Sequence, residues 1–327
     1  MNSSSRMFAI AALFLASACA GRTKAARPQV LALRSVQDAV QVMADDEIFA
    51  RVALSPVEPP SVVALFAHGG RHLLRGFPLN PRDGESVDHP EHLSLWTAHA
   101  SVSGHDLWSD ATGPRLTRHS LRMQAGGRAV VDMELEWRAP NGTTLCGENR
   151  SYRFQATDEI RTVDVEHVLT ATGGGTVFGD VREGFFALRL QDDLRPDAGA
   201  RVLTSLKVEG QDPFGLPARW IAYSALLANA TGEEKPVTIC IFDHPDNPGY
   251  PTRWFARSYG IVAANPFASS AFDPSESITR IGRPEGFRIE SYKSTTLLYR
   301  VAIASAELDA QQIEELWSEF AGQGDPE

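Results

Sequence analysis

Between positions 129 and 138 the chain alternates in character: Ala129, Val131, Met133, Leu135 and Trp137 are apolar, while Asp132, Glu134, Glu136 and Arg138 are charged. A helix, repeating about every 3.6 residues, scatters such a set around its circumference, whereas a strand repeats every two and gathers the apolar set on one face. Asn141-Gly142 follows, a pair that tolerates the positive φ of a hairpin turn, and Tyr152, Phe154 and Ala156 resume the alternation. Further strand-length apolar runs occur at 61–66, 162–169, 185–190, 220–227, 237–242 and 295–303, separated by Gly, Pro, Asn and Asp clusters. One helix is predicted near the C-terminus, where Leu308, Ile313, Leu316, Trp317 and Phe320 share a stripe; it is expected to pack on a sheet edge. The fold class is therefore all-β, a large antiparallel β-sandwich with one C-terminal helix, read as a single domain over residues 29–327.

The formal net charge is −10 and no Lys/Arg-rich run is present. Nucleic-acid binding draws on clustered cations that release counterions, so no nucleic-acid partner is expected. A chain of 327 residues can bury its own core without a stapling metal or disulfide. The apolar run at 8–18 is about half of the ~20 residues that a spanning helix requires. With Arg6 before it and Ala16-Ser17-Ala18 after, residues 1–18 are predicted to be a signal peptide. Cys19 directly after that tripeptide resembles a lipoprotein cysteine, although Leu15 stands four residues before it rather than three. The expectation is an exported protein, periplasmic or an outer-envelope lipoprotein, with membrane attachment through a lipidated Cys19 and a tether over 19–28. Cys146 and Cys240 each sit in or beside a strand-like run, and two buried thiols or one disulfide fit equally.

Six of the nine histidines, at 68, 72, 89, 92, 99 and 105, fall within 38 residues. Such a concentration of groups that titrate near neutrality points to function. Pro78, Pro81 and Gly84 mark an irregular segment before Asp88-His89-Pro90-Glu91-His92, and long loops in compact domains commonly carry sites. In the strand that follows, Trp96 and Ala98 share one face, taken as the core face, and Thr97 and His99 share the other. His89, His92 and His99 offer three imidazoles for a divalent transition metal, but no HExxH or CxxC spacing accompanies them. The preferred reading has no cofactor, the imidazoles instead hydrogen-bonding and relaying protons for a polar substrate.

Residues 243–254 leave an apolar strand with three prolines in seven residues. That backbone is stiff, which suits either a preorganised binding loop or a rigid crossover. Asp243, His244, Asn247, Arg253 and Trp254 are its candidate binding groups, with Tyr259, Asn265 and Phe267 close behind. Glu183, in Arg182-Glu183-Gly184-Phe185-Phe186, precedes an apolar strand and is the candidate general base. No GxSxG elbow, P-loop or Rossmann glycine pattern supports a serine hydrolase, nucleotide hydrolase or dehydrogenase.

Three segments together resemble one known family: DHPEHLSLWTAHASVSGHDLWSD (88–110), REGFFALR (182–189) and FDHPDNPGYPTRWFARSYGIVAANPF (242–267). The family is the exported bacterial domain of unknown function labelled "methane oxygenase PmoA". The resemblance spans roughly 75–300 and implies a β-supersandwich similar to galactose mutarotases, with a carbohydrate ligand. It singles out His89, His92, Trp96, His99, Asp106, Trp108, Glu183, Asp243, His244, Asn247, Trp254 and Asn265, and Arg75 and Arg253 are further candidate binding residues. Glu91 stands where the family usually has histidine, and Leu93-Ser94 replaces its usual Arg/Gly pair. The implied function is action on a carbohydrate or oxidised glycoside, with Glu183 as base, His92 or His244 as acid and Trp254 stacking on the ring. The alternatives are a noncatalytic glycan-binding or surface protein and, as the label has it, a metal-dependent oxygenase.

Overall fold

The computed structural model describes residues 26–55, 58–109, 113–206, 213–272 and 286–322. The expected signal peptide, Cys19 and most of the expected tether lie outside the described residues. Among those described, no helix is long and apolar enough to cross a membrane.

All six of the strand-length runs named above form strands. The chain begins with β1 (Leu31–Val36), β2 (Ala39–Ala44), β3 (Glu47–Ala53), β4 (Ser61–Ala67), the short β5 (Arg71–His72) and β6 (Leu95–His99). There follow β7 (Arg115–Gln124), β8 (Arg128–Arg138), β9 (Thr144–Ala156), β10 (Ile160–Ala171), β11 (Thr176–Gly179), β12 (Gly184–Arg189) and β13 (Arg201–Thr204). The last strands are β14 (Trp220–Ala228), β15 (Glu234–Asp243), β16 (Arg253–Ala256), β17 (Ile261–Asn265), β18 (Gly286–Ile289) and β19 (Ser294–Ala304), before α1 (Ala310–Ala321).

Antiparallel pairing arranges these into two large sheets and the two-stranded pair β11-β18. The first runs β1-β2-β3-β4-β6-β12-β17-β16, with β5 beside β4, and the second runs β13-β14-β15-β19-β10-β9-β8-β7. The alternating residues of β8 pair with β9 from Ala129 opposite Phe154 to Trp137 opposite Cys146. Their apolar set joins Val163, Leu188, Val262 and Tyr299 in the core between the sheets. The result is a large antiparallel β-sandwich.

A second apolar layer lies on the outer face of the first sheet, formed by Trp96, Ala98, Ala187, Ile261 and Ala263 under Leu93, Trp108 and Phe255. Strands β6, β12 and β17 are therefore buried on both faces. On the outer face of the second sheet, Ile313 and Phe320 of α1 pack against Trp220, Cys240, Phe242 and Ala302. The helix thus lies across a sheet face and not at the expected edge, because its apolar stripe is wide enough to cover several strands. Asp309 starts it by accepting from the Gln311 and Gln312 N–H groups, and the Gln312 side chain returns the bond to the Asp309 N–H. Cys146 and Cys240 are separate buried thiols in different layers.

Candidate functional site

Loops rising over the outer face of the first sheet leave a hollow of about 520 Å³ between them. The β5–β6 segment supplies His89, Glu91 and His92 to its walls, and the loop after β6 supplies Trp108; the turn before β12 supplies Arg182 and Glu183; and the β16–β17 connection supplies Arg257, Ser258 and Tyr259, beside Phe255.

The imidazole segment is held from beneath by two buried guanidiniums. Arg189 of β12 donates to Asp88 Oδ1 at 2.7 Å, and Arg75 pairs with the same carboxylate. Arg75 also donates to the carbonyls of Asp88 at 2.6 Å and His89 at 2.9 Å. Burial, with Arg189 close by, lowers Arg75 to about 10. Burial works in the opposite sense on Asp88, but Arg189 and Arg75 hold it below the usual carboxylate range. These bonds fix His89 at φ +47°, a left-handed conformation uncommon outside glycine and known to gather at functional sites.

Hydrogen-bond logic assigns the protons. A guanidinium only donates, so His92 Nδ1, 3.3 Å from Arg189 Nη1, accepts, and His92 carries its proton on Nε2. That Nε2–H faces Glu91 Oε1 at 3.6 Å. A carboxylate only accepts, so His89 Nδ1, 3.0 Å from the same Glu91 oxygen, donates, and His89 Nε2 is the atom left to exchange protons. Burial and then the Arg189 charge lower His92 to about 2, so it stays neutral and donates a hydrogen bond rather than a proton. The His89 ring lies nearly parallel to His92 at 4.8 Å and to Tyr259 at 4.9 Å. Trp96 supports His92 at 5.4 Å, and Trp108 lies 5.1 Å from Trp96.

The opposite rim is fixed through its backbone. Asn265 donates to the carbonyls of Val181 at 2.8 Å and Arg182 at 3.1 Å, and the Glu183 carbonyl accepts from the Ala100 N–H at 3.0 Å. Gly184 packs so closely on β6 that a Cβ there would lie 2.4 Å from His99 Cδ2. Arg182 Nε donates to the Ala271 carbonyl at 2.7 Å, and the Arg257 guanidinium lies 4.0 Å from the centre of the Phe214 ring.

Residues 39–318 match a protein family described as "Family of unknown function (DUF6807)". The chain belongs to this family. Among solved structures, this DUF6807 member resembles the Slr1438 protein from Synechocystis sp. PCC 6803 over 86% of its own length and 97% of that chain, with 10% identity and a TM-score of 0.33. It resembles HI1317 over 84% and 99%, with 10% identity and a TM-score of 0.31. The 4-alpha-glucanotransferase from Thermococcus litoralis aligns over 86% of this chain and 40% of that one, with 10% identity and a TM-score of 0.30. No curated protein sequence matches the chain.

In this DUF6807 member several sequence candidates stand away from the hollow. His99 is fully buried toward the sandwich interior, edge-on to Phe178 and Phe267, and burial lowers it to about 4. Trp96 is buried as expected, in the apolar layer beneath the hollow, whereas His99, expected on a polar face, turns into the main core. His244 packs edge-on against Phe320 of α1, on the second sheet, and so cannot act with Glu183. Trp254 is buried in the main core with its indole N–H on the Ala218 carbonyl at 2.9 Å; its neighbour Phe255 takes the side facing the hollow. Asn247 bridges to the Leu298 backbone in both directions, at 2.7 Å each. Segment 243–254 is thus a rigid crossover. Arg253 borders a different hollow and donates to the Gly215 carbonyl at 2.8 Å. Asp106 caps its own turn, accepting from the Trp108 and Ser109 N–H groups at 2.8 and 3.0 Å, and so positions Trp108. Arg75 and Asn265 also position their neighbours rather than line the hollow. Glu91, Arg189 and Arg257 carry no sequence signal that marks them as site residues, beyond the crowd of ionisable groups around position 90 that surrounds the first.

Asp243 accepts from the Asn247 side chain at 2.8 Å and the Thr252 N–H at 2.7 Å, both neutral, and burial pushes it up to about 7. An unfolded aspartate ionises near 3.8, so between that pH and about 7 the folded chain retains a proton that the unfolded chain has released. Stability from this group is therefore full below pH ~4 and is lost as pH rises through about 7, by on the order of a few kcal/mol. Urea unfolding at stepped pH is expected to show this decline in the wild type and a flatter curve in Asp243→Asn; parallel curves would refute it.

The expected metal set of His89, His92 and His99 is not assembled, since His99 lies in the interior. His89, Glu91 and His92 do lie together, their candidate ligand atoms all within 4.8 Å. The donor set fits a metal poorly. Binding through His92 Nε2 would move its proton to Nδ1, against the Arg189 donor, and two buried guanidiniums already stand behind the trio.

Proposed function

We propose that the hollow binds a carbohydrate and transfers protons to and from it, with Glu183 and the Glu91-oriented His89 as the exchanging pair. The observation that carries the reading is their placement. A carboxylate and an imidazole with an unspent nitrogen border one concavity whose walls also include the edges of Trp108, Phe255 and Tyr259, aromatic groups that between them have both an apolar and a polar part to offer a sugar. In such chemistry one group removes a proton from a hydroxyl or an activated C–H while the other returns one to a ring or glycosidic oxygen. His92 has a different part, a fixed neutral donor, because burial denies it a charge. The resemblance to the family labelled "methane oxygenase PmoA", and through it to mutarotases, supports a sugar ligand; the tautomer of His92 argues against the oxygenase reading.

Export belongs to the same proposal and rests on the apolar run at 8–18 before Cys19; fractionation of cells expressing the full chain tests it. For the site, a panel of sugars and methyl glycosides incubated with the protein in deuterated buffer tests the reading by proton NMR. Accelerated anomeric interconversion, epimerisation or elimination of one member supports it. Calorimetric binding with no turnover would select the noncatalytic glycan-binding alternative. Neither binding nor turnover would remove the carbohydrate reading.

A further inference from the structure

The buried arginines of this protein mostly pair with carboxylates: Arg150 with Glu148, Arg161 with Glu47, and Arg75 and Arg189 with Asp88. Two half-buried arginines at the hollow do not. Among the described residues, neither Arg182 nor Arg257 forms an ion pair, yet both are held in place. Arg257 lies on the Phe214 ring at 4.0 Å and near Phe255 at 5.7 Å, while Arg182 is anchored through Nε on the Ala271 carbonyl and approaches the same Phe214 ring at 5.8 Å. A guanidinium laid on an aromatic face has lost its side-chain freedom and part of its hydration, while its in-plane N–H groups remain available. That is the state in which a fork recognises an oxyanion at the smallest entropic cost.

The surrounding charge favours the same ligand. On the walls Arg182 and Arg257 balance Glu91 and Glu183, and beneath them Arg75 and Arg189 share the single carboxylate of Asp88. One positive charge is left over, in a chain whose formal net charge is −10. Glu91 is itself engaged by the His89 N–H at 3.0 Å and faced by the His92 N–H at 3.6 Å, which among the described residues leaves Glu183 as the wall carboxylate without such a neighbour.

We infer that the sugar taken by this hollow carries an anionic oxygen group, a carboxylate or a sulfate ester, bound by Arg257 and Arg182. The inference rests on the carbohydrate reading above and adds the charge of the substrate to it. It also removes a difficulty for that chemistry. A base carboxylate and an acidic sugar repel each other unless the sugar's charge is neutralised, and the arginine pair does this beside Glu183.

Calorimetry on the full chain with methyl glycosides of glucose, galactose and mannose, their uronic acids and their 6-sulfates provides the test. For at least one sugar, an anionic form is expected to bind about tenfold or more tighter than its neutral parent, as charge-assisted bonds allow. That ratio is expected to fall toward one in Arg257→Ala and to recover in part in Arg257→Lys, with unchanged circular dichroism. Preference for the uronic acids assigns a carboxylate, and preference for the sulfates a sulfate ester. Equal affinity for charged and neutral forms would overturn the inference and leave the carbohydrate reading standing. So would a preference that survives both Arg257→Ala and Arg182→Ala. Binding of no sugar at all would overturn both.

Discussion

Glu183→Gln is expected to lower turnover of the reactive sugar by about a hundredfold to ten-thousandfold, the usual worth of a positioned acid or base, while leaving the fold intact. The two halves of that expectation have separate origins. The carboxylate borders the hollow and, among the described residues, has no hydrogen-bond partner, so an amide of the same shape disturbs none of the described bonds that hold the chain together. Its backbone, by contrast, is fixed from both sides by Ala100 and Asn265, so the side chain starts from a set position. Stability by urea unfolding should stay within about 0.5 kcal/mol of the parent. Full activity in this variant would move the base to His89 Nε2 and discard the assignment given to Glu183.

Glu148→Gln should cost about 3–5 kcal/mol of stability, the range for uncoupling a buried charge pair. Glu148 is wholly enclosed and accepts four bonds: from Trp137 Nε1 at 2.8 Å, Arg150 Nε at 2.7 Å and Nη2 at 3.0 Å, and His167 Nδ1 at 2.7 Å. Burial alone would raise this carboxyl, but Arg150 and His167 hold it down to about 2. An amide keeps the shape, removes the charge and leaves Arg150 buried without its counterion. The effect reaches the site, because the Trp137 ring stacks on Phe185 at 5.9 Å, two residues after Glu183. Urea denaturation measures the cost, and a loss under about 1 kcal/mol would show that the cluster contributes little.

The sandwich was legible because β8, β9 and β10 have one buried and one wetter face, so burial wrote a period of two into their residues. The strands that carry the site have no such contrast. Leu95–His99, Gly184–Arg189 and Ile261–Asn265 are covered on both sides, and nothing in their composition tells the interior from the floor of a hollow. That is why the alternation places Trp96 in an apolar layer and His99 on the opposite face but does not show that this opposite face is the main core, and why it does not tell Trp254 from its neighbour Phe255, which borders the hollow. Arg75 and Arg189 look like surface residues in a sequence, and only coordinates show two wholly buried guanidiniums sharing Asp88. The Asp243–Arg253 stretch was distinctive for its stiffness, which serves the crossover between the sheets. Glu91 read as a departure from a histidine pattern, yet it lies between two imidazoles and orients one of them.

The location of the site can be read most directly from the six indole N–H signals of nitrogen-15-labelled protein, followed while the best-binding sugar is titrated in. Trp137, Trp220, Trp254 and Trp317 spend their indole protons on Glu148, Glu314, the Ala218 carbonyl and the Asp243 carbonyl. Trp108 alone among the six borders the hollow. Its signal is expected to shift with saturation, Trp96 beneath it to follow weakly, and the other four to stay in place. A sugar that moves Trp254 or Trp317 while leaving Trp108 unchanged would put binding on the other side of the molecule and contradict the site described above.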